Sequence, residues 1–138
     1  CLNVGDSAID FPHESYGDEL RRCERYFYAP VKKGTAGSGF DQIVLGVGGF
    51  LTASQLEFVM THPTEMRATP TFRQSGANDF AYEHDGSQGT LASGFSGGYG
   101  KGTRSNLVYV SGLSETQGET ARIVAITSTA YLYWDAEL

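Results

Sequence analysis

The sequence is poor in several features that define common functional classes. Of its 138 residues, two are cysteine and one is tryptophan, and 10 basic residues stand against 16 acidic ones. The formal charge of −6 disfavours nucleic acid and anionic lipid surfaces as partners, since no basic run is longer than two residues, as at Arg21-Arg22 and Lys32-Lys33. No apolar run approaches the ~20 residues of a spanning helix, so no membrane insertion is expected.

The two cysteines, Cys1 and Cys23, carry little information about the fold. One pair does not make a disulfide scaffold in a domain of this size. A Cys1–Cys23 disulfide and two free thiols are both open at this point, and free thiols are the simpler interpretation. A chain that begins at Cys1 rather than Met is expected to be part of something longer, or processed.

The spacings that metal binding and catalysis usually require are also missing. Zinc-ligand spacing is absent, and the histidines are scattered at His13, His62 and His84. There is no Gly-x-Ser-x-Gly nucleophile elbow. A catalytic triad assembled from distant parts of the chain would show no such motif, so the spacing alone does not exclude one. We therefore predict no catalytic residue, no metal site and no cofactor.

A glycine-rich loop at residues 94–105 superficially resembles a phosphate-binding loop. Such a loop needs a hydroxyl residue after its lysine to hold Mg²⁺, and Gly102 follows Lys101 here. We predict a surface loop whose tip residues Phe95, Tyr99 and Lys101 contact a sugar or protein receptor.

The tripeptide Glu83-His84-Asp85 places two carboxylates and an imidazole side by side. A glycoside hydrolase needs two carboxylates across a cleft, roughly 5–9.5 Å apart. We predict that His84 to Gly89 forms a turn. Acidic neighbours within a glycine-flanked turn are more often solvated side chains than catalytic ones. Glu83 and Asp85 join the receptor-contact candidates.

Glycine, tyrosine and phenylalanine are what the sequence has in quantity, with 18, 8 and 8 residues. Ser15 is a good helix N-cap, with Asp18 three residues later and apolar residues at Tyr16, Leu20 and Cys23, so a short helix is predicted. Alternating apolar runs between turn signals predict the strands. These cover Tyr26–Tyr28, Phe40–Val47, Phe50–Ser54, Gln55–Met60, Glu65–Phe72, Phe80–Tyr82, Thr90–Ser93, Leu107–Val110, Ala121–Ile126 and Ala130–Leu138.

Many short strands without βαβ alternation predict an all-β fold, an antiparallel β-sandwich and more specifically a jelly roll, with one short N-terminal helix. Gly5 and Pro12 break any helix near the start of the chain. Residues 1–16 are therefore predicted to be an extended lead-in, the end of a preceding stalk or domain. Residues 17–138 form the single sandwich domain.

Two strands carry specific predictions about which side chains face the core. In Glu65–Phe72, Met66 and Ala68 share one face, Arg67 is assigned as a structural ion-pair partner, and Pro70 makes the segment an edge strand or breaks it at a bulge. In the last strand Tyr131 and Tyr133 share one face, while Leu132 and Trp134 share the other. Filling of the core is favoured over sugar stacking for these aromatics.

Four phrases of the sequence together carry a resemblance to one protein family. They are Leu2-Asn3-Val4-Gly5-Asp6-Ser7-Ala8 leading to Phe11-Pro12-His13-Glu14, then Glu19-Leu20-Arg21-Arg22-Cys23-Glu24-Arg25-Tyr26-Phe27, then Glu65-Met66-Arg67-Ala68-Thr69-Pro70-Thr71, and Ala130-Tyr131-Leu132-Tyr133-Trp134-Asp135-Ala136-Glu137-Leu138. Their order resembles the C-terminal domain of tail fibres and related virion appendage proteins of tailed bacteriophages.

The resemblance implies a virion structural protein whose distal fibre domain attaches to a bacterial surface receptor. This receptor is a glycan or a protein, and a glycan is favoured. It implies a parallel homotrimer that contacts other virion proteins, with Leu20 and Cys23 facing the three-fold axis or the sandwich. The family has no catalytic motif to transfer.

One alternative is a purely structural capsid-decorating or tail-assembly component. A less favoured one is a polysaccharide depolymerase, with paired carboxylates drawn from Glu57, Glu65, Asp79, Glu83 and Asp85.

Overall fold

The computed structural model describes residues 15–97 and 101–137. They form one α-helix and ten strands arranged in two antiparallel sheets, which confirms the predicted β-sandwich with a short helix. The jelly roll, with eight strands in two Greek keys, is not confirmed, because the strands divide seven and three. The predicted lead-in falls almost entirely outside the described residues.

All ten strands come after the helix in chain order, and each sheet pairs strands that are distant in sequence. The small sheet has the order β1-β10-β4, and the large one has the order β6-β5-β9-β2-β3-β8-β7. The elements are α1 Tyr16–Glu24, β1 Phe27–Val31, β2 Ile43–Thr52, β3 Gln55–Thr61, β4 Thr71–Gln74, β5 Phe80–His84, β6 Ser87–Thr90, β7 Ser96–Gly97, β8 Ser105–Ser111, β9 Thr120–Ala125 and β10 Leu132–Asp135.

Helix α1 begins where the sequence predicts. The Ser15 hydroxyl accepts a hydrogen bond from the Asp18 amide at 3.2 Å, which satisfies one of the free amides of the first turn. No residue of α1 is buried, and both Leu20 and Cys23 are exposed, so the sandwich does not cover them. Helices within the described residues fall short of the length and apolar character needed to cross a bilayer.

The centre of the large sheet is the β2–β3 hairpin. The burial of β3 alternates between buried and accessible residues, which confirms the predicted half-buried strand. Two features of β2 differ from the prediction. Residues Gly39–Asp41 form a turn of 3₁₀ helix with Phe40 fully exposed, and β2 continues through Gly48, so it joins the two strands predicted at Phe40–Val47 and Phe50–Ser54. Glycine is needed there because a Cβ at Gly48 would lie 2.2 Å from the Glu57 carbonyl oxygen.

The Glu65–Phe72 prediction is wrong in its first part. Residues 62–70 form no strand; they cross from β3 in the large sheet to β4 in the small one, which begins directly after Pro70. The Met66 amide bonds the Thr103 carbonyl at 2.8 Å and the Arg67 amide bonds the Arg25 carbonyl at 2.7 Å. These two bonds tie the crossing to two different segments, and residues 62–70 belong to neither sheet. The expected alternation of burial nevertheless persists, with Met66 buried.

The charged residues of this crossing also differ from the prediction. Arg67 places its guanidinium 5.4 Å from the centre of the Tyr26 ring, a cation–π contact. The ion pair of this segment is formed instead by Glu65, two residues before Arg67. The Glu65 carboxylate lies 2.8 Å from the Arg104 guanidinium. These contacts are exposed, so they orient the crossing more than they stabilise it.

Trp134 is the centre of the core between the two sheets. It is 1% exposed, and its ring lies 5.3 Å from Phe72, 6.2 Å from Tyr28 and 5.1 Å from His62. Leu132 is also buried while Tyr131 is exposed, which confirms the predicted division of β10 into two faces. Core filling is correct for Trp134 and wrong for Tyr131.

A buried polar pair joins the crossing to the large sheet beside Trp134. The Asn106 amide nitrogen lies 2.7 Å from His62 Nε2, and both residues are buried. The second ring nitrogen of His62 has no hydrogen-bond partner. Burial lowers the pKa of His62 below its ordinary value of 6.5, so the imidazole is held neutral.

We expect this histidine to make the fold sensitive to mild acid. Between 6.5 and the lowered pKa of His62, the unfolded chain binds a proton that the folded chain does not. The free energy of unfolding should thus fall on acidification, by up to about 1.4 kcal/mol per pH unit. Urea titrations from about pH 7.5 to about pH 5.5 would measure it. His62→Gln should flatten this dependence, whereas the control Gln42→Ala, which leaves every histidine in place, should keep it. Equal slopes for wild type and His62→Gln would contradict the assignment.

Candidate functional site

The candidate site lies at one end of the large sheet, where β5 finishes and β9 begins. In register, Glu83 is opposite Arg122 and His84 is opposite Ser87. The loop between β8 and β9 passes beside them. We call this the loop-end site. It consists of Tyr82, Glu83, His84, Asp85, Ser87, Gln88, Glu115, Glu119 and Arg122.

A two-residue turn connects β5 to β6 at this site. Asp85 and Gly86 have φ angles of 44° and 75°, the pair of positive values that defines a type I′ hairpin turn. The turn predicted over His84 to Gly89 is therefore shorter than expected, because residues 87–90 form strand β6. Asp85 is exposed at the tip.

The loop carrying Glu115 and Glu119 is held by backbone hydrogen bonds to the β2–β3 hairpin. The Glu115 amide bonds the Ala53 carbonyl at 2.8 Å. The Phe50 amide bonds the Glu119 carbonyl at 2.9 Å, and the Gly118 amide bonds the Phe50 carbonyl at 2.9 Å. These hydrogen bonds fix the backbone of the segment that carries the Glu115 and Glu119 carboxylates.

His84 connects the loop to the hairpin. Its Nε2 lies 2.9 Å from Glu115 Oε2, and its Nδ1 lies 3.5 Å from Glu119 Oε2, too far for a well-formed hydrogen bond. The Tyr82 hydroxyl donates to Glu115 Oε1 at 2.5 Å. Burial, then the hydrogen bond and charge of Glu115, raise the pKa of Tyr82 to about 12, so it remains a protonated donor.

The other side of the hairpin carries a second charged group. Arg122 donates from Nε and from a terminal nitrogen to the same oxygen of Glu83, the first at 2.7 Å. The Gln88 amide donates to the other Glu83 oxygen at 2.8 Å. An open cavity of about 360 Å³ lies here, and His84 also borders a second of about 440 Å³. Their lining residues are Glu83, His84, Gly86, Ser87, Gln88 and Arg122 for the first, and His84, Asp85, Gly118, Glu119 and Thr120 for the second.

The arrangement offers hydrogen-bonding groups and no assembled catalytic group. Among the described residues, no serine, threonine or cysteine side chain hydrogen-bonds His84, so a nucleophile–histidine pair is not formed there. The same residues contain no group of three His, Cys, Asp or Glu side chains able to hold a metal ion. Binding of a polar ligand is what this geometry can do.

The structure separates the five sequence-predicted contact residues. Glu83 and Asp85 lie in the loop-end site. Lys101 is exposed, but it precedes β8 at the opposite end of the large sheet. Tyr99 lies outside the described residues.

Phe95 requires a correction, because it is not a loop tip. It is 4% exposed and packs in the core, with its ring 5.5 Å from Phe58 and 4.7 Å from Phe80. Gln74 holds its backbone through hydrogen bonds of 2.6 and 2.9 Å. Glycine-rich surroundings predict an exposed position for Phe95, but β7 begins at the next residue and turns its side chain into the core.

Sequence reasoning missed most of the loop-end site. The missed residues are Tyr82, Ser87, Gln88, Glu115, Glu119 and Arg122. One signal was available: Asp85-Gly86 between two strand-like runs is the strongest short hairpin signature, and it would have placed Gln88 opposite Glu83. The pairing of β5 with β9 has no comparable local signal.

Four of the five carboxylates considered for a depolymerase, namely Glu57, Glu65, Asp79 and Glu83, have structural partners. Glu65 bonds Arg104, whose hydrogen bonds are the largest cause of its lowered pKa, and Glu57 accepts a hydrogen bond from Gln55. Burial alone would raise the pKa of Asp79, but hydrogen bonds from three hydroxyl groups, at Thr127, Ser75 and Thr129, together lower it. Asp79 and Asp85 also lie beyond opposite ends of β5.

No protein-family model, no curated protein and no solved structure matches this chain.

We predict that the loop-end site depends on a glycine opposite Tyr82. A Cβ at Gly89 would lie 2.2 Å from the Tyr82 ring, so Gly89→Ala must displace the ring and weaken its bond to Glu115. We expect a loss of about 1–3 kcal/mol in unfolding free energy, measured by urea titration. The control is Gly76→Ala, where nothing lies within 4 Å of the added atom. Equal stability of the two variants would contradict the prediction.

Proposed function

We propose that this chain is a non-enzymatic attachment domain of a tailed-phage fibre, a virion structural protein that binds a bacterial surface glycan. The phrases shared with fibre C-terminal domains support the assignment to a virion. The loop-end site is the observation that carries the binding function, because it presents donors and acceptors around open cavities at a hydrogen-bonded end of the large sheet.

The chemistry of the site suits hydroxyl-rich ligands. Gln88, Arg122 and Ser87 supply donors, and the carboxylates of Asp85 and Glu119 supply acceptors. Planar amide, guanidinium and carboxylate groups can each hold two neighbouring hydroxyls of a sugar. The Arg122–Glu83–Gln88 contacts fix the orientation of these groups before a ligand arrives, which reduces the entropy lost on binding.

A cell-binding experiment tests this proposal. The labelled protein should bind intact cells of susceptible strains in flow cytometry. Ser87→Trp, which fills the first cavity, should reduce binding about tenfold, and Gln88→Ala should weaken it by less. The control is Gln42→Ala, which removes the same type of side chain just before β2, at the opposite end of the sheet. Unchanged binding by Ser87→Trp would exclude this site. No binding by the assembled wild type would leave only a structural role.

Self-association into a homotrimer is part of the proposal, and one surface supports it. Val44, Val47 and Leu51 on β2 and Val59 on the paired strand β3 are 53–67% exposed, and we call these four residues the aliphatic face. Exposed aliphatic side chains grouped on two paired strands favour a surface that another protein covers. A second and third copy of this chain are the proposed cover.

We expect the wild type to be a trimer in light scattering at micromolar concentration. Val47→Lys with Val59→Lys should shift it to monomer while the circular dichroism spectrum stays that of a folded sheet protein, because both side chains are exposed on the single chain. Phe40→Lys is the control, since Phe40 is fully exposed outside this face. A monomeric wild type would contradict the trimer.

The same aliphatic face favours the second candidate, a capsid-decorating or tail-assembly component. In that case, another virion protein would cover Val47 and Val59. The position of the domain in a cryo-EM map of the particle separates the two. A distal fibre position supports attachment, and a position between other structural proteins supports assembly.

A further inference from the structure

Three aromatic rings form a row on the outer face of the small sheet. The ring centres of Phe27 and Tyr133 are 5.1 Å apart, and those of Tyr133 and Tyr131 are 5.8 Å apart. We call Phe27, Tyr133 and Tyr131 the aromatic row. Phe27 is 48% exposed and Tyr131 36%, while Tyr133 between them is partly exposed.

The position of the row follows from strand alternation. Leu132 and Trp134 point into the core, so Tyr131 and Tyr133 must lie on the other side of the same strand. Strand β10 is the middle strand, paired on both sides, and Phe27 sits on β1 beside it. The row is therefore carried by backbone that is fixed from both edges and from the core below.

The exposed area of the row is small for a protein partner. Three aromatic side chains of ~200 Å² each, less than half exposed, offer on the order of 250 Å². A stable protein interface needs about 800 Å² from each partner. A sugar ring, by contrast, needs one aromatic face. The C–H bonds on one side of a pyranose carry partial positive charge, which complements the negative face of an aromatic ring.

Polar groups flank the rings at the places where sugar hydroxyls would lie. Arg73 is exposed and pairs with Tyr133 across β10 and β4. Asp135 pairs with Phe27 across β10 and β1, and one of its oxygens accepts the Glu137 amide at 2.9 Å. The row thus combines apolar faces with a donor on one side and an acceptor at one end, as small-molecule sites do.

We propose that the aromatic row binds a glycan chain by stacking successive pyranose rings on Phe27, Tyr133 and Tyr131, with Arg73 and Asp135 bonding their hydroxyls. This site is on the small sheet and shares no residue with the loop-end site. It does not rest on the fibre assignment, and its failure leaves the loop-end proposal intact.

The test uses three oligosaccharides as probes: maltohexaose, cellohexaose and chitohexaose. Each is titrated into the wild-type protein at up to millimolar concentrations, with binding measured by calorimetry and the contacted sugar protons by saturation-transfer NMR. At least one should bind, with its ring C–H protons receiving the strongest transfer. Tyr131→Ala and Tyr133→Ala should each weaken binding about tenfold, while Tyr133→Phe keeps the ring and should retain it.

Matched controls separate the row from other causes. Phe40→Ala removes an exposed aromatic ring elsewhere and should bind as the wild type does. Tyr131 lies just outside β10 and is partly exposed, so Tyr131→Ala tests the row even if Tyr133→Ala unfolds. No binding of any probe, or binding unaffected by Tyr131→Ala, would overturn the proposal. So would light scattering in which Tyr131→Ala dissociates an oligomer, because a second copy would then cover the row.

Discussion

The packing of Trp134 between the two sheets is the interaction on which the rest of the structure depends. The small sheet has only three strands, and its middle strand places Trp134 against Tyr28, Phe72 and His62. Burying one large aromatic side chain contributes about 2–3 kcal/mol, more than any exposed ion pair of this domain can. His62 belongs to the crossing between the sheets, so the same cluster also holds the segment that connects them.

Both proposed binding surfaces follow from this packing and from strand register. Fixing Trp134 inward forces Tyr131 and Tyr133 outward, which creates the aromatic row at no cost to the core. The loop-end site depends instead on the large sheet, where pairing of β5 with β9 brings Arg122 to Glu83. A shift of one residue in that register would move Arg122 to the opposite face and separate the two charges. Each site is therefore carried by strands, and its loops only complete it.

Local patterns predicted local structure well and long-range contacts poorly. The Ser15 cap, the alternation of Gln55–Met60 and the two faces of β10 could all be read directly, because each depends on residues close in sequence. The alternation of apolar and polar residues in Glu65–Phe72 predicts a strand, yet its first part forms none. Its amides bond Thr103 and Arg25, residues that no local pattern brings near it. Phe95 was placed at a surface for the same reason, since Phe58 and Phe80 cover it from other strands.

The sequence by itself determined the class of fold, the helix start and the two faces of Gln55–Met60 and of the last strand, since these depend on side-chain period and on caps within one segment. It also determined the composition that disfavours nucleic acid, through a formal charge of −6. Only the tertiary structure decided the division into seven and three strands, the joining of His84 to Glu115 across the β8–β9 loop, and the placing of Phe27 beside Tyr133. Those contacts arise from pairing between distant strands, and the energy that selects one pairing is shared across the whole core.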